Sequence, residues 1–364
     1  MSTIPIADPR LDGDERERVI DVLDGGQLAD GPEVRAFEDE FADYCDADHG
    51  VATSNGTTAL HAMLRAAGVG PGDRVVTTPF TFVATANAVR HVGAEPLFVD
   101  VDPETYNIDP YATEDLIRRL DGSVDAILAV HLFGLPANMG ALREVADTYD
   151  CTLLADACQA HGAEYDGRRV GTHADAACFS FYPTKNMTTG EGGMVTTDDE
   201  GIAARTRSFI DHGRTGSGTY DHADVGHNFR MTSVAAAIGR AQLEQLPGFV
   251  EDRRANAAFL TDLLRESAVT TPHEPRGSSH VYNQYTVRSD DRDGLREHLE
   301  EADVDTAVYY PTPVHQQPAY SEVAADVPVA ERLADEVVSL PVHPGLSGDD
   351  LERVANAVTE YGER

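Results

Sequence analysis

The sequence predicts an α/β protein, with a large domain over residues 1–245 built on a mostly parallel sheet between helices and a smaller α+β domain over residues 246–364. Three observations predict it. From about residue 50, short β-branched or apolar runs alternate with helix-period segments at about 20–30 residues per unit, as strand–helix–strand units do when helices cover both faces of their sheet. After residue 175, two strand-like runs flank a glycine-rich turn. Beyond Pro247-Gly248, helical and extended segments follow one another without the earlier regularity.

In order, VATS leads into the helical TTALHAMLRAAG, RVVTT into FVATANAVRHVG, EPLFVDV into TEDLIRRL, and AILAVHL into MGALREVADTYD, with CTLLADA closing the series. Each run is rich in residues that suit a pleated strand, and each following segment spaces its apolar residues for one helix face. ACFSFYP and GGMVTT are the strands on either side of the turn, followed by the helical DDEGIAARTRSFIDHG and TSVAAAIGRAQLEQL. Pro247-Gly248 predicts an interruption. Then come a helix in VEDRRANAAFLTDLLRES, a loop in TPHEPRGSS, a strand in HVYNQYTVRS, a helix in DRDGLREHLEEA, a strand in DTAVYYP and a last helix in GDDLERVANAV. Working side chains of such sheets gather at the carboxyl ends of strands, which selects the junctions after Thr53, Thr78, Val130 and Ala155.

Composition narrows the function. At 41% hydrophobic and 25% charged, the chain has the makings of a folded core. Its 28 Lys and Arg against 63 Asp and Glu give a net charge of -35, which repels duplex DNA and anionic membranes and predicts a solvated acidic surface suited to high salt. Cys45, Cys151, Cys158 and Cys178 form no CxxC pair and no disulfide framework, and no export signal or apolar span is evident, so a cytoplasmic protein is expected. His49, His61, His91, His131 and His161 are dispersed and no HExxH occurs, so no metal is predicted and a metal hydrolase is disfavoured.

Three segments carry chemistry. In SNGTTALHAML, Gly56 permits close backbone approach, while Thr57 and Thr58 place hydroxyls and free N–H groups where a helix begins. A phosphate fits there, and so does an ordinary helix cap by Ser54 or Asn55. In LLADACQAHGA, Asp156 closes an apolar strand, where a buried carboxylate needs a cationic or hydrogen-bonding partner; capping the next turn is the plainer alternative. In FSFYPTKNMTTGEGGMVTT, Lys185 lies beside apolar residues, where desolvation would lower its pKa and free a nucleophilic amine, with Ser180 five residues earlier and Gly190, Gly192 and Gly193 allowing a tight turn. The order GxxxxGK[ST] is absent, so this is no nucleotide P-loop. A phosphate cup, a strand-end carboxylate and a semi-buried amine together match the needs of pyridoxal 5'-phosphate.

The chain also resembles the DegT/StrS-type sugar aminotransferases, a family of fold-type I pyridoxal phosphate enzymes. The resemblance runs in order through SNGTTALHAML, TTPFTFVATANAV, FVDVDPETYNID, VHLFG, DACQAHGA, FSFYPTKNMTTGEGGMVTT, GHNFRMTSVAAAIGRAQL, YYPTPVHQQPAY and SLPVHPGLS. It implies that Lys185 carries the cofactor as a Schiff base and shuttles protons, and that Asp156 pairs with the pyridinium nitrogen. It further implies that Phe82 stacks on one ring face, that Gln159 lies near the other face or the O3' oxygen, and that Gly56, Thr57 and Ser180 bind the phosphate. Asn228 would reach that phosphate from a neighbouring subunit, which implies a homodimer with shared sites. Arg230, Tyr310 and His315 are further candidates for substrate contacts. His227 and Phe229 depart from the family's usual aromatic GYNYR.

Some members carry histidine in place of the lysine and act as dehydratases; the lysine present here implies transamination. The implied reaction moves an amino group from L-glutamate to a nucleotide-linked keto sugar in amino-sugar, polysaccharide or glycan biosynthesis. NMTTGEGG looks more like relatives acting on 4-keto-6-deoxy sugars than like the NLGALG of 3-keto enzymes. A keto-cyclitol as acceptor and a non-catalytic cofactor-binding regulator are the alternatives; the net charge and the lack of a basic recognition helix speak against DNA binding by the latter.

Overall fold

The computed structural model describes residues 3–215 and 220–362. The first part of the chain forms α1 (Glu15–Gly25), α2 (Pro32–Tyr44), β1 (His49–Thr53), α3 (Gly56–Ala66), β2 (Arg74–Thr77), α4 (Ala84–His91), β3 (Glu95–Phe98) and α5 (Pro110–Arg119). Next come β4 (Ala126–Val130), α6 (Met139–Tyr149), β5 (Thr152–Asp156), β6 (Glu164–Tyr165), β7 (Arg168–Arg169), β8 (Ala176–Ser180) and β9 (Gly193–Thr197). The remainder is α7 (Glu200–Ile210), α8 (Ser233–Leu263), β10 (Ser278–Ser279), β11 (Tyr285–Arg288), α9 (Arg292–Glu301), α10 (Pro328–Glu336), β12 (Val337–Leu340) and α11 (Gly348–Gly362).

Seven strands form one sheet in the order β1-β9-β8-β5-β4-β2-β3. The neighbours from β8 to β3 pair in parallel, whereas β9 runs antiparallel to both β8 and β1. β4, β8 and β9 are buried at every residue, as strands covered on both faces must be. Alternation along β5 divides the core: Leu153 and Ala155 pack with Phe37, Phe41, Leu142 and Leu246 of α2, α6 and α8, while Leu154 packs with Leu60, Met63 and Val89 of α3 and α4. Asp156 continues the face of Leu154, and Ser180 continues that of Ala176 and Cys178. The strand-end groups therefore emerge together on the α3/α4 side.

Two local expectations are corrected. Pro247-Gly248 does not interrupt the chain, because both lie inside α8, a single helix of 31 residues. Its early turns pack Ala236, Leu243 and Leu246 against the large core and its late turns pack Ala257 and Leu260 with β11, β12 and α11. Burial on both sides offsets the single hydrogen bond a helical proline removes. The core beside β11 and β12 also takes in Ile4, which bridges to Val304. DTAVYYP makes only the bridge Ala307–Ser339; the partner of β11 is instead β12, within a segment not expected to be a strand.

Candidate active site

Asp156 is the last residue of β5 and is 6% exposed. Its Oδ2 accepts a 2.8 Å hydrogen bond from Thr85 Oγ1, which lies 2.9 Å from Thr81 Oγ1, and its Oδ1 accepts from the Cys158 N–H at 3.2 Å. These bonds fix the carboxylate's direction and leave the rest of its acceptor capacity for a ligand.

The junction of β1 with α3 brings a second component. Asn55 caps α3 by accepting from the Thr58 N–H at 2.9 Å, while Thr58 Oγ1 accepts from the Asn55 N–H at 3.1 Å. The cap leaves the first-turn N–H groups of Gly56 and Thr57 without helical acceptors, so the cap does not use up the donors an anion would need. Ser180, at the end of β8, faces this helix start so closely that a Cβ on Gly56 would stand 2.6 Å from Ser180 Cβ and 3.3 Å from Cys158 Sγ. A Cβ on Gly193 would likewise meet the Asn55 carbonyl oxygen at 2.5 Å or less.

Lys185 sits in the loop between β8 and β9, with its N–H bonded to the Tyr182 carbonyl at 2.9 Å. The loop folds back on itself through Thr189 N–H to Phe181 O at 3.1 Å and Phe181 N–H to Gly192 O at 2.9 Å. Burial lowers the Lys185 pKa from its ordinary value, against the opposing pull of Cys158 and Asp156. The amine therefore loses its proton more easily than a surface lysine and becomes nucleophilic. Lys185 is also the sole lysine of the chain; the other 27 basic residues are arginines.

Gln159 and Tyr310 form a pair next to this group. Gln159 Oε1 accepts from the Phe133 N–H at 2.7 Å and its Nε2 donates to Tyr310 Oη at 3.1 Å. Burial, and then the nearby Asp156 charge, push the Tyr310 phenol well above its ordinary pKa, so it stays protonated. The ring of Phe82, 55% exposed, lies 6.0 Å from that of Tyr310.

Asn228 and Arg230 follow an extended path beside the exit of β1: the Ser54 N–H donates to the Phe229 carbonyl at 2.7 Å, and Arg230 pairs with Asp211. Asn228 is exposed. His315 is directed at Glu331 of α10, 3.0 Å away.

Thr81, Thr85 and Cys158 were not among the expected site residues. Thr81 and Thr85 have helical spacing in TFVATA, a signal that a hydroxyl pair shares one face, but nothing local says which strand that face meets. The histidines prove to be partly clustered: the His61 ring lies 5.7 Å from His91 and 5.6 Å from His227. His131, His161 and His280 are buried, and burial drives each pKa down to about 3. A cleft of about 570 Å³ bordered by Thr105, Tyr111, Asn138 and Arg276 contains none of the groups around Lys185.

A desolvated amine, an oriented carboxylate and a cradle closed to any Cβ at Gly56 fit pyridoxal phosphate at its aldehyde, ring nitrogen and phosphate respectively. Residues 9–359 match the model of the DegT/DnrJ/EryC1/StrS aminotransferase family. The chain is 38% identical over 372 residues to GDP-perosamine synthase of Caulobacter vibrioides, covering 99% of each chain. It is 40% identical over 348 residues to dTDP-3-amino-3,4,6-trideoxy-alpha-D-glucose transaminase of Streptomyces venezuelae, covering 94% of this chain and 90% of the other. The crystal structure of S. venezuelae DesV in complex with a ketimine intermediate superposes with a TM-score of 0.96 at 38% identity, covering 100% of both chains. The protein is thus a pyridoxal phosphate-dependent enzyme with the aminotransferase fold, and the chain belongs to the DegT/DnrJ/EryC1/StrS aminotransferase family.

Proposed function

We propose that this enzyme transfers the amino group of L-glutamate to a nucleotide-linked keto sugar, at carbon 4 of a 6-deoxy sugar. The observation that carries the reading is the single lysine of the chain, desolvated and within the electrostatic reach of Asp156, beside the Gly56–Ser180 cradle. When bound, pyridoxal phosphate offers an aldehyde to amines and withdraws electrons from the carbon bearing the transferred nitrogen.

Lys185 Nζ would hold the cofactor at its aldehyde and, once released by the incoming amine, would serve as the base that accepts and returns the donor's α-proton. Its lowered pKa suits both tasks, because an amine that gives up its proton more easily than a surface lysine is better able to attack and to accept a proton. Asp156, oriented by Thr85 and the Cys158 N–H, holds a proton on the ring nitrogen. The Gly56 and Thr57 N–H groups and Ser180 Oγ bind the phosphate. Phe82 would stack on the cofactor ring, and Gln159 would hold it from the other face or at its O3' oxygen. Asn228, exposed on its own chain, completes the phosphate site of a second copy in a homodimer, a reading supported by the exposed Phe82, Tyr182 and Val225. Arg230, Tyr310 and His315 contact the sugar nucleotide.

The stretch NMTTGEGG supports carbon 4 over carbon 3. The names of the relatives favour a sugar over a keto-cyclitol as acceptor. The test is to load the protein with pyridoxal phosphate, add L-glutamate with nucleotide-linked 4-keto or 3-keto 6-deoxy sugars, and measure 2-oxoglutarate while locating the new amine by NMR. Production with the 4-keto sugar in wild type, and none in Lys185→Ala, is expected. Turnover restricted to the 3-keto sugar would reverse the positional assignment, and no turnover with any keto sugar or cyclitol would leave a cofactor-binding regulator.

A further inference from the structure

Two thiols at the floor of the site have no part in the chemistry above. Cys158 follows β5 and Cys178 lies in β8, twenty residues apart, yet their Sγ atoms are 4.0 Å from each other. Adjacent parallel strands bring this about: Asp156 is in register with Cys178, and the Ala157 N–H donates to the Cys178 carbonyl at 2.8 Å, which turns Cys158 back over the strand end. One Asp156 oxygen joins them, and the three atoms all lie within 4.8 Å of one another.

We propose that this triad binds a thiophilic divalent cation of the zinc class, and that the cation and the cofactor exclude each other. The second statement rests on the assignment of Asp156 to the cofactor's ring nitrogen. Two thiolates and a carboxylate are a donor set that selects zinc-like ions over magnesium or calcium. The spacing fits as well. Zinc–sulfur bonds of about 2.3 Å at tetrahedral angles place two sulfurs ~3.8 Å apart, close to the 4.0 Å observed. A triangle with no side above 4.8 Å has a centre at most about 2.8 Å from each corner, so each sulfur closes by ~0.5 Å or less and the carboxylate oxygen by ~0.8 Å or less.

Charge and protons balance at the site. Cys158 and Cys178 each release a thiol proton to solvent as sulfur takes the ion. Two thiolates and one carboxylate leave one net negative charge around a divalent ion; negative charge at Cys158 and Asp156 favours the protonated form of Lys185, which offsets it. A water fills the fourth position. Cys158 is only partly buried and its Sγ lies 3.3 Å from where a Cβ on Gly56 would stand, so the ion's site adjoins the cofactor cradle. With Asp156 committed to the ion, no carboxylate remains for the ring nitrogen.

The probe is cobalt(II), followed by zinc, titrated into the full chain with and without bound pyridoxal phosphate. Sulfur-to-cobalt charge-transfer absorption reports thiolate ligation, which the many surface carboxylates cannot produce. One equivalent with this absorption in the cofactor-free chain, displaced by zinc and prevented by pyridoxal phosphate, is expected. Cys158→Ser should weaken binding by more than ~100-fold, beyond the 10–100-fold typical of losing an outer-shell partner, while Cys45→Ser, at a buried thiol elsewhere, leaves it unchanged. No charge-transfer band in the wild-type chain, or a band that survives Cys158→Ser, overturns the site. A band equally strong with pyridoxal phosphate bound overturns the exclusion. Each result is read from metal binding, so none depends on whether the keto-sugar assay succeeds.

Discussion

Gly56→Ala tests the cofactor cradle by adding one methyl group. The new Cβ would stand 2.6 Å from Ser180 Cβ, 3.0 Å from Ser180 Oγ and 3.3 Å from Cys158 Sγ. Carbon atoms settle ~3.5–4.0 Å apart, so Ser180 or the start of α3 must give by about 1 Å. Ser180 closes a central strand and has little room to move, which sets the strain at ~1–3 kcal/mol, the range for overpacked cores. Alanine's better helix propensity, worth ~0.5–1 kcal/mol, offsets part of this. Global stability therefore falls by about 0–2.5 kcal/mol. The cofactor suffers more, because a 1 Å displacement separates the Gly56 and Thr57 N–H groups from Ser180 Oγ and removes one charge-assisted hydrogen bond of ~1.5–3 kcal/mol. That is a ten- to hundred-fold weaker affinity. The assay is titration of pyridoxal phosphate into cofactor-free protein, read by its visible absorption band, beside a thermal melt. Gly248→Ala is the control: nothing lies within 4 Å of the added Cβ in α8, so stability rises by ~0.5–1 kcal/mol with no change in cofactor affinity. Wild-type cofactor affinity in Gly56→Ala would refute the assignment of the phosphate to this cradle.

Two further predictions concern charge. His131, His161 and His280 have native pKa values near 3, below their ordinary 6.5, so the unfolded chain binds protons that the native state refuses. Their contribution is complete above about pH 6.5 and is lost as pH falls toward 3, by up to ~4 kcal/mol per pH unit for three groups; denaturant melts at pH 7.5, 6 and 5 in concentrated KCl will show it, and a flat profile would remove it. With a net charge of -35, raising KCl from ~0.1 M to ~1 M, which shortens the Debye length from about 10 Å to 3 Å, should raise the melting temperature, whereas full stability in dilute buffer would count against a salt-adapted surface.

What the sequence made legible was local or periodic. β-Branched runs alternating with helical segments gave β1 to β5, the runs on either side of the glycine-rich turn gave β8 and β9, and the strand-end rule pointed to Asp156 and the start of α3, whereas the two-residue β6 and β7 were not expected. What it hid depends on which strands become neighbours. Thr85 reads as an ordinary helix residue, and it matters because β2 and β5 flank β4 and α4 crosses near the end of β5. Cys158 and Cys178 read as scattered thiols, since register between parallel strands joined by a crossover is not written in either strand. Pro247-Gly248 reads as a break, and only packing on both sides of α8 overrides it.

One strong signal for the site was present in composition and needs no structure: lysine and arginine must be counted apart. Arginine satisfies the structural needs of a cation throughout this chain, as at Arg240 with Glu33 and Glu40 or Arg254 with Glu274. Its guanidinium stays protonated and does not condense with carbonyls, whereas an amine does both tasks according to its surroundings. A chain with 27 arginines and one lysine has therefore kept lysine only where arginine cannot substitute, and that place is a desolvated loop beside an oriented carboxylate. The same count means that a reactive aldehyde meets a single side-chain amine on this protein, so borohydride reduction of the cofactor-loaded chain should mark Lys185 and no other side chain, with labelled peptides from elsewhere contradicting the argument.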